Sequence, residues 1–354
     1  MTGQKLGSRA LLAVLCTFLF ACGSEHDDQP SPSPTPNPDP FEKTPVNIPD
    51  ENFEARLGHW GIDTDGEING QIFLEDALKV TSLDLFTSNA EDKIADLTGI
   101  EVFINLKQLI ASYNALSTVD LSQNTALEKL DLSVNKLKQI DLSANTELTI
   151  LTIGRNDLES IDLSHLTKLE TLFVEGNQLE SLDVSNNTAL TKLNALANLI
   201  EEIKGLNATK MKELWLGFNY LKSLSISLPS LEGINVENND ITQLDLENCI
   251  NLKYILATSN QIAEFNTSNH TLLKHLKLSN NDIKTLDLTN NKNLEILWAS
   301  SNELSQLDIS SLSLLYDLRI TRNTGLSCIK IDPTQQIPTI QLSDYQNLST
   351  AGCN

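Results

Sequence analysis

Aromatic residues and positive charge are both scarce in this chain of 354 residues. Phe, Trp and Tyr make up 5% of it, with only three Trp, so a folded core must be filled by aliphatic side chains. The formal net charge is -22 at pH 7. A chain this acidic repels phosphate backbones and anionic lipid headgroups, which argues against nucleic acid as a partner and against a polybasic membrane contact.

The sequence also lacks the motifs of common enzyme classes. It has no G-x-S-x-G, H-E-x-x-H, P-loop or dinucleotide fingerprint. The five His, at positions 26, 59, 165, 270 and 275, have no metal-binding spacing, and the five Cys form no C-x-x-C pair. Without convergent catalytic groups, we predict a protein that is not an enzyme.

One short motif is repeated through most of the chain, from Leu106 to Leu326: L-x-x-L-x-L-x-x-N-x-L-x-x-L-D-L-S-x-N-T-x. Its first Asn recurs every 21 residues, with one step of 20 residues between Asn219 and Asn239. These Asn stand at 114, 135, 156, 177, 198, 219, 239, 260, 281, 302 and 323. A fixed period over eleven copies predicts a solenoid, in which each repeat buries its apolar face against its neighbours.

The motif L-x-x-L-x-L occurs twice within each repeat. This nesting predicts two short extended segments per coil, facing each other across a thin aliphatic core. The stacked Asn side chains would satisfy backbone groups of the turns. The array resembles the nested 21-residue class of leucine-rich repeats sometimes called IRREKO. We therefore expect a β-rich leucine-rich-repeat solenoid of about eleven repeats over residues 105–327.

The first 21 residues have the pattern of a secretory signal peptide. Lys5 and Arg9 precede a short apolar run that is too short to span a bilayer. The run ends in the letters LFAC at residues 19–22, which resemble the lipobox of bacterial lipoproteins. The resemblance implies cleavage before Cys22 and lipidation of that residue, which would anchor the protein stably.

Residues 22–45 are predicted to form an acidic and Pro-rich tether. The letters GSEHDD after Cys22 resemble the export signal of some Bacteroidetes lipoproteins, which implies a surface-exposed lipoprotein of the outer membrane. Pro then alternates with polar residues from position 30 to 40, which favours an extended spacer of about 3 Å per residue. The lipid on Cys22 is the only membrane contact that we expect.

Residues 46–104 lack the regular repeat and predict an N-terminal cap. Asp50 can cap a helix that carries Phe53, Leu57 and Trp60 on one side. The next segment resembles an EF-hand loop and implies a structural calcium ion, although its last position holds Asp where that loop has Glu. The candidate ligands are Asp65, Glu67, Asn69, Gln71 and Asp76. A plain polar turn is the alternative.

The letters NIPDENFEARL, DTDG, VTSLDL and IADLTGIE follow one another before the regular array. Together they resemble the N-terminal region of bacterial internalin-like leucine-rich-repeat proteins, and the resemblance covers residues 46–327. It implies that this protein recognises a protein partner, as in adhesion to a host or neighbouring cell.

Residues 328–354 follow the array and predict a C-terminal cap. In an oxidising compartment Cys328 and Cys353 are the natural disulfide pair. Cys249 lies within a repeat, and we expect it to be a small buried side chain.

The outward side of the first strand of each repeat, which we call the strand face, carries unusual residues. Its central column is Ile110, Asp131, Thr152, Phe173, Asn194, Trp215, Asn235, Leu256, Lys277, Trp298 and Arg319. Exposed aromatic residues grouped on one face predict a binding surface, whereas scattered surface hydrophobes are the alternative. The candidate binding residues are Tyr113, Phe173, Trp215, Phe218, Tyr254, His275 and Trp298. A kink at the 20-residue step would reshape this surface.

A second column is acidic, with Asp120, Asp141, Asp162, Asp183, Asp245, Asp287 and Asp308. Hydrogen bonds to the residues that follow each Asp would compensate the like charges. Weak binding of calcium or of a cationic partner is the alternative.

We predict a non-enzymatic, membrane-tethered protein of the cell surface that binds a protein partner through the strand face. Two alternatives remain. The aromatic column suits an extended glycan, because four rings recur about 10 Å apart, and a tethered solenoid can also act as a structural spacer of the envelope.

Overall fold

The computed structural model describes residues 43–353. The predicted signal peptide (1–21), the predicted lipidation site Cys22 and most of the predicted tether (22–45) lie outside these residues. Among the residues described, no helix has both the length and the apolar character needed to cross a bilayer.

The elements of the described chain are short. In chain order they are β1 (Pro45–Asn47), α1 (Glu51–His59), β2 (Gln71–Phe73), α2 (Leu74–Ala77), β3 (Ser82–Asp84), a 3-10 helix (Ile100–Val102), β4 (Gln108–Ile110), β5 (Lys129–Asp131), β6 (Ile150–Thr152), β7 (Thr171–Phe173), β8 (Ser181–Asp183), β9 (Lys192–Asn194), β10 (Glu202–Lys204), β11 (Glu213–Trp215), β12 (Ser223–Ser225), β13 (Gly233–Asn235), β14 (Gln243–Asp245), β15 (Tyr254–Leu256), β16 (His275–Lys277), β17 (Ile296–Trp298), β18 (Asp317–Arg319), β19 (Cys328–Lys330), β20 (Thr339–Gln341) and β21 (Asn347–Ser349).

One long parallel sheet runs the length of the array. It has thirteen strands, from β3 at one end to β20 at the other, and each strand of the array pairs with that of the next coil. The central residue of each array strand points into the aliphatic core, as Leu130 and Leu151 do in adjacent register. The residues on either side of it point outward, because side chains alternate along a strand. The predicted leucine-rich-repeat solenoid is confirmed.

The second extended segment of each coil forms much less sheet. Only three pairs of strands occur on this second face among the described residues: β8 with β10, β12 with β14, and β19 with β21. The expectation of two extended segments per coil is thus met by hydrogen-bonded strands in only some of the coils.

The Asn column forms the predicted ladder. In a typical case, the Asn156 Oδ1 accepts from the Leu137 N–H at 3.0 Å. Its Nδ2 donates to the Leu132 carbonyl in the preceding coil at 3.0 Å and to the Ile153 carbonyl in its own coil at 3.1 Å. One buried side chain therefore satisfies backbone groups of two coils that would otherwise remain unpaired inside the protein.

A second ladder, which the sequence analysis did not predict, is formed by the later Asn of the motif. The Asn145 Nδ2 donates to the carbonyls of Leu121 and Asn124, both at 3.0 Å. Both ladders continue into the C-terminal cap with Gln in place of Asn. The Gln335 Nε2 donates to the Leu312 carbonyl at 2.8 Å, and the Gln346 Nε2 to the Ile320 carbonyl at 3.1 Å.

The N-terminal cap covers the first coil. Asp50 caps α1 as predicted, by accepting from the Asn52 and Phe53 N–H groups, and Phe53 and Leu57 are fully buried. Trp60 differs from the prediction: it follows the end of α1 and remains half exposed. Its indole N–H donates to the Asp84 carbonyl at 2.7 Å, and Asp84 belongs to the edge strand β3. This contact occupies a backbone acceptor of the sheet edge.

At the opposite end the predicted disulfide joins Cys328 to Cys353, with 5.6 Å between their Cα atoms. It connects β19 to the end of the chain after β21. Cys249 is a free, buried thiol, also as predicted. Burial raises the pKa of this thiol, so it stays protonated.

The 20-residue step does not kink the strand face. Trp215 and Asn235 pair in continuous register across it. On the second face, β10 and β12 do not pair and a cleft of about 570 Å³ lies between residues 201–207 and 221–227, but a cleft of the same volume lies between residues 244–247 and 263–266, at a regular step. The missing residue lies in the turn before Leu228, which is far along the coil from the aromatic column.

We expect Asn156→Ala to lower the free energy of unfolding by about 2–4 kcal/mol, because it leaves one N–H and two carbonyls unpaired in the core. Urea unfolding measures the change. The matched control is Asn186→Ala, whose exposed amide makes one bond of 3.2 Å to the Ser164 carbonyl and should cost less than about 0.5 kcal/mol. If both variants lower the free energy of unfolding equally, the ladder does not stabilise the fold as we expect.

His270 occupies the position of the second ladder, at which four other coils have Asn124, Asn145, Asn187 and Asn291. It is 1% exposed, its Nε2 lies 3.0 Å from the Leu246 carbonyl, and its Nδ1 has no partner among the described residues. Burial lowers the pKa of His270, although the bond to Leu246 acts in the opposite direction. The neutral imidazole is therefore the form that the folded protein holds.

The pKa of His270 is lower in the folded chain than in the unfolded chain. As the pH falls below about 6.5, the unfolded chain therefore binds a proton at this residue that the folded chain does not bind. We expect stability to fall in that window by up to about 1.4 kcal/mol per pH unit. His270→Asn should flatten this dependence, since an Asn there can donate to the Leu246 carbonyl as Asn145 does to Leu121. Urea midpoints at pH 7 and pH 5.5 measure it, and an unchanged slope in the variant would contradict the assignment.

Candidate functional site

The structure places all seven predicted binding residues on the strand face or on the turn that borders it. Phe173, Trp215, His275 and Trp298 are partly exposed. Tyr113, Phe218 and Tyr254 are more exposed, at 43%, 56% and 40%. They do not form one continuous row of rings, because each makes different contacts with its neighbours.

Trp298 lies between two cations from the adjacent strands. The Lys277 Nζ is 3.8 Å and the Arg319 guanidinium carbon 3.9 Å from the centre of its ring. The indole N–H donates to Asp317 at 3.0 Å, and Asp317 also accepts two bonds from Arg319, both at 3.1 Å. The ring is thus already engaged by cation–π contacts and a hydrogen bond within the protein.

Tyr254 packs edge-on against His275 of the next strand, with 4.9 Å between the ring centres. Partial burial lowers the pKa of His275, although Glu295 at 3.9 Å opposes the shift. His275 is therefore neutral at pH 7. At the other end of the array, Tyr113 packs edge-on against Phe86 at 5.4 Å.

Trp215 has a different environment. Its neighbours across the sheet are Asn194 and Asn235, and among the described residues no ring or cation packs on it and its indole N–H makes no hydrogen bond. Further apolar side chains that are exposed or partly exposed stand on its own coil and on the coil before it. We define the apolar patch as Leu196, Ala197, Leu199, Trp215, Phe218 and Tyr220.

The two coils of the apolar patch are in direct contact. The Ala197 N–H donates to the Gly217 carbonyl, and the Tyr220 N–H to the Ile200 carbonyl. Leu199 and Tyr220 are 39% and 50% exposed. The sequence analysis missed both, although the position after the ladder Asn is polar in most other repeats, and that exception could have revealed them. A contiguous exposed apolar patch is a typical mark of an interaction site.

Phe218 has a backbone conformation that does not favour it. Its φ is 58°, in the left-handed region. The same turn position is left-handed in every coil of the array, where it holds Tyr113, Val134, Arg155, Gly176, Ala197, Asn238, Ser259, Asn280, Ser301 or Arg322. A left-handed conformation is unfavourable for a bulky residue, whereas Asn tolerates it. The coil imposes this conformation, and Phe218 is distinguished by carrying a large ring there that is 56% exposed.

The acidic column forms local turns. Each Asp accepts a hydrogen bond from the amide two residues later, as Asp120 does from Ser122 and Asp162 from Ser164, both at 2.9 Å. These backbone bonds hold the pKa of both carboxyls below the usual value. Local hydrogen bonding thus accounts for these acids, as we preferred from the sequence.

The predicted EF-hand-like loop does not bring its acids together. Asp76 is buried and bonded to Thr64, Lys43 and Lys79, at 2.6, 3.5 and 2.9 Å. In 43–353, no three His, Cys, Asp or Glu side chains are close enough to hold a metal ion.

The other predicted ligands of this loop are engaged with each other or with the cap. Asp65 accepts from the Glu67 amide and from the Asn69 side chain. The backbone amides of Asn69 and Gln71 both donate to the buried Glu54. Asp76 already has two ammonium partners, so these donors fit a calcium ion poorly in this arrangement. Structural calcium stays a prediction of the sequence.

We expect Phe218→Asn to raise the free energy of unfolding by about 1 kcal/mol, because Asn relieves the left-handed strain and the exposed ring buries little area. The reverse change in the next coil, Asn238→Phe, is the matched control and should destabilise by a similar amount. Urea unfolding measures both. A less stable Phe218→Asn variant would mean that the ring serves packing, and the functional interpretation would fail.

No family model matches the chain. Internalin J of Listeria monocytogenes is 38% identical over 78 residues, which is 22% of this chain and 8% of that protein. The matched segment is therefore a small part of that relative.

Solved structures match far more of the chain. The functional domain of InlJ from Listeria monocytogenes has a TM-score of 0.75 at 28% identity, with 88% of this chain and 73% of that chain covered. That domain includes a cysteine ladder, whereas the array here contains a single Cys, Cys249.

The internalin inlF of the same species has a TM-score of 0.71 at 22% identity, covering 88% of this chain and 99% of that chain, and shows the fold alone. YopM, a leucine-rich effector protein from Yersinia pestis, has a TM-score of 0.58 at 25% identity, covering 81% and 85%. Together with the stacked strands and the ladders, these similarities show an internalin-like leucine-rich-repeat solenoid.

Proposed function

We propose that this chain is a non-enzymatic, membrane-tethered protein of the bacterial cell surface that binds a protein partner, as an adhesin does, through its strand face. The apolar patch around Trp215 and Phe218 is the observation that carries the proposal. Rings that are exposed and free of internal partners supply contact area at low entropic cost, and such residues dominate the energy of protein interfaces.

A protein partner suits the strand face better than a glycan does. Sugar rings stack on open aromatic faces, but Lys277 and Arg319 flank Trp298, and Tyr254 packs on His275. Of the four rings at glycan-like spacing, Phe173 and Trp215 remain without such partners among the described residues. The tether and the lipid on Cys22 are the remaining parts of the proposal, and they would hold the binding face away from the membrane.

Binding by residues 43–354 tests the proposal, because this segment forms one compact unit with both caps. We expect capture of a protein from surface extracts of candidate host or neighbouring cells. Trp215→Ala should weaken that binding at least about tenfold, since central aromatic anchors contribute 2 kcal/mol or more. Titration of the captured protein by calorimetry measures the loss.

The control is Tyr345→Ala, which removes a more exposed ring (45%) from the C-terminal cap. It should leave affinity unchanged. Equal binding by wild type and Trp215→Ala would place the site elsewhere. Binding to a glycan array in place of any protein would favour the glycan alternative, and no ligand in either assay would favour a spacer.

A further inference from the structure

We infer that the strand face from Lys253 to Arg322 is a cationic docking site for an acidic side chain of the protein partner, with Lys277 as the group that meets the carboxylate. The inference rests on the proposed protein-binding function and specifies the chemistry of the partner. It concerns a part of the strand face that is separate from the apolar patch.

The charge of this part of the face is opposite to that of the chain. On the last four coils of the array, the stretch from the residue before each strand to the residue before the ladder Asn carries two acids, Glu295 and Asp317. Two more acids, Asp282 and Glu303, follow the ladder Asn on the bordering turn. The same stretch, without those two, carries five bases: Lys253, Lys274, Lys277, Arg319 and Arg322. In a chain of net charge -22, this local excess of positive charge gives the partner a defined direction of approach.

Three of the five bases are neutralised within the protein. Lys253 pairs with Glu232 at 2.8 Å, Lys274 with Glu295 at 2.9 Å, and Arg319 with Asp317 at 3.1 Å. Lys277 and Arg322 have no carboxylate partner among residues 43–353. The excess charge of the site therefore resides on these two side chains.

Lys277 is the better placed of the two. Its ammonium is held 3.8 Å from the centre of the Trp298 ring, and Trp298 is in turn fixed by its bond to Asp317. Lys277 is partly buried, whereas Arg322 is exposed on the turn. A lysine that is already ordered loses less conformational entropy when it binds, and partial burial strengthens its attraction to a carboxylate.

The distance between the apolar patch and Lys277 predicts how far apart the matching groups of the partner lie. Trp215 lies on β11 and Lys277 on β16, with β13 and β15 between them. Three strand spacings separate the two residues by about 14 Å. An extended peptide covers that distance in about four residues. We thus expect the partner to have an Asp or Glu about four residues from an apolar or aromatic anchor when it binds in an extended form.

The probe is a random 12-residue peptide display library, selected on immobilised residues 43–354. We expect the selected peptides to contain Asp or Glu beside an apolar anchor and to bind more weakly as salt increases. Lys277→Met keeps the aliphatic stem over Trp298 but removes the ammonium. It should weaken the binding of these peptides about tenfold and reduce their salt dependence.

The matched control is Lys292→Met, the same change at an exposed lysine off the strand face, which should leave affinity unaltered. Trp215→Ala is tested in parallel, because it shows whether the proposed protein-binding function itself holds. Peptides that lose affinity for Trp215→Ala but bind Lys277→Met like wild type would overturn this inference alone. If neither substitution changes the affinity of the selected peptides, the strand face is not the binding site, and both proposals fail.

Two further outcomes also count against the inference. If the selected peptides contain no Asp or Glu, the site does not recognise a carboxylate. Binding of uronic-acid oligosaccharides in a Lys277-dependent manner, with no peptide enriched, would replace the protein partner by an acidic glycan.

Discussion

The fold depends on hydrogen bonds from buried Asn side chains to the backbone of two adjacent coils. Strands of three residues provide few ladder bonds of their own, and the turns that follow them leave carbonyls and amides facing the core. Asn156 and its equivalents satisfy these groups in every coil of the array. Where the motif ends, Gln335 and Gln346 take over the same bonds in the cap. This explains why the period tolerates almost no variation: a shifted Asn would leave several buried groups unpaired.

With stability supplied by the ladders and the aliphatic core, the outward columns are free to vary. Most outward positions hold polar residues, as solubility requires. Phe218 differs, since it places a ring that is 56% exposed at a left-handed position. The acids of the second column accept hydrogen bonds within local turns, which compensate their like charges. The strand face, by contrast, has apolar and cationic regions.

The solenoid, its strand face, the Asn ladder, the N-cap Asp50 and the disulfide partners could all be predicted from the sequence. Each follows from a local pattern or from a period that requires one geometry. The incomplete second sheet, the exposed Trp60 and the second ladder were not predicted. Asn145 and Trp60 acquire their roles through backbone groups more than 20 residues away, at Leu121 and Asp84. The first ladder spans the same distance, but its Asn recurs in every coil, whereas the position of Asn145 holds Leu166, Ala208 or Cys249 in other coils and so gives a weaker periodic signal.

The sequence by itself determined which residues share a column, because a repeat of 21 places every outward side chain beside its counterpart in the next coil. It identified Trp215 and Trp298 as equivalent positions. Only the tertiary structure decided that they differ. Lys277 and Arg319 flank Trp298 with their charged groups, while Asn194 and Asn235 beside Trp215 leave its ring free. The physical reason is that a column fixes the strand spacing of about 4.8 Å but leaves the rotamers open. The rotamer that a long side chain adopts depends on whether the neighbouring coil places a ring, a charge or an empty space beside it.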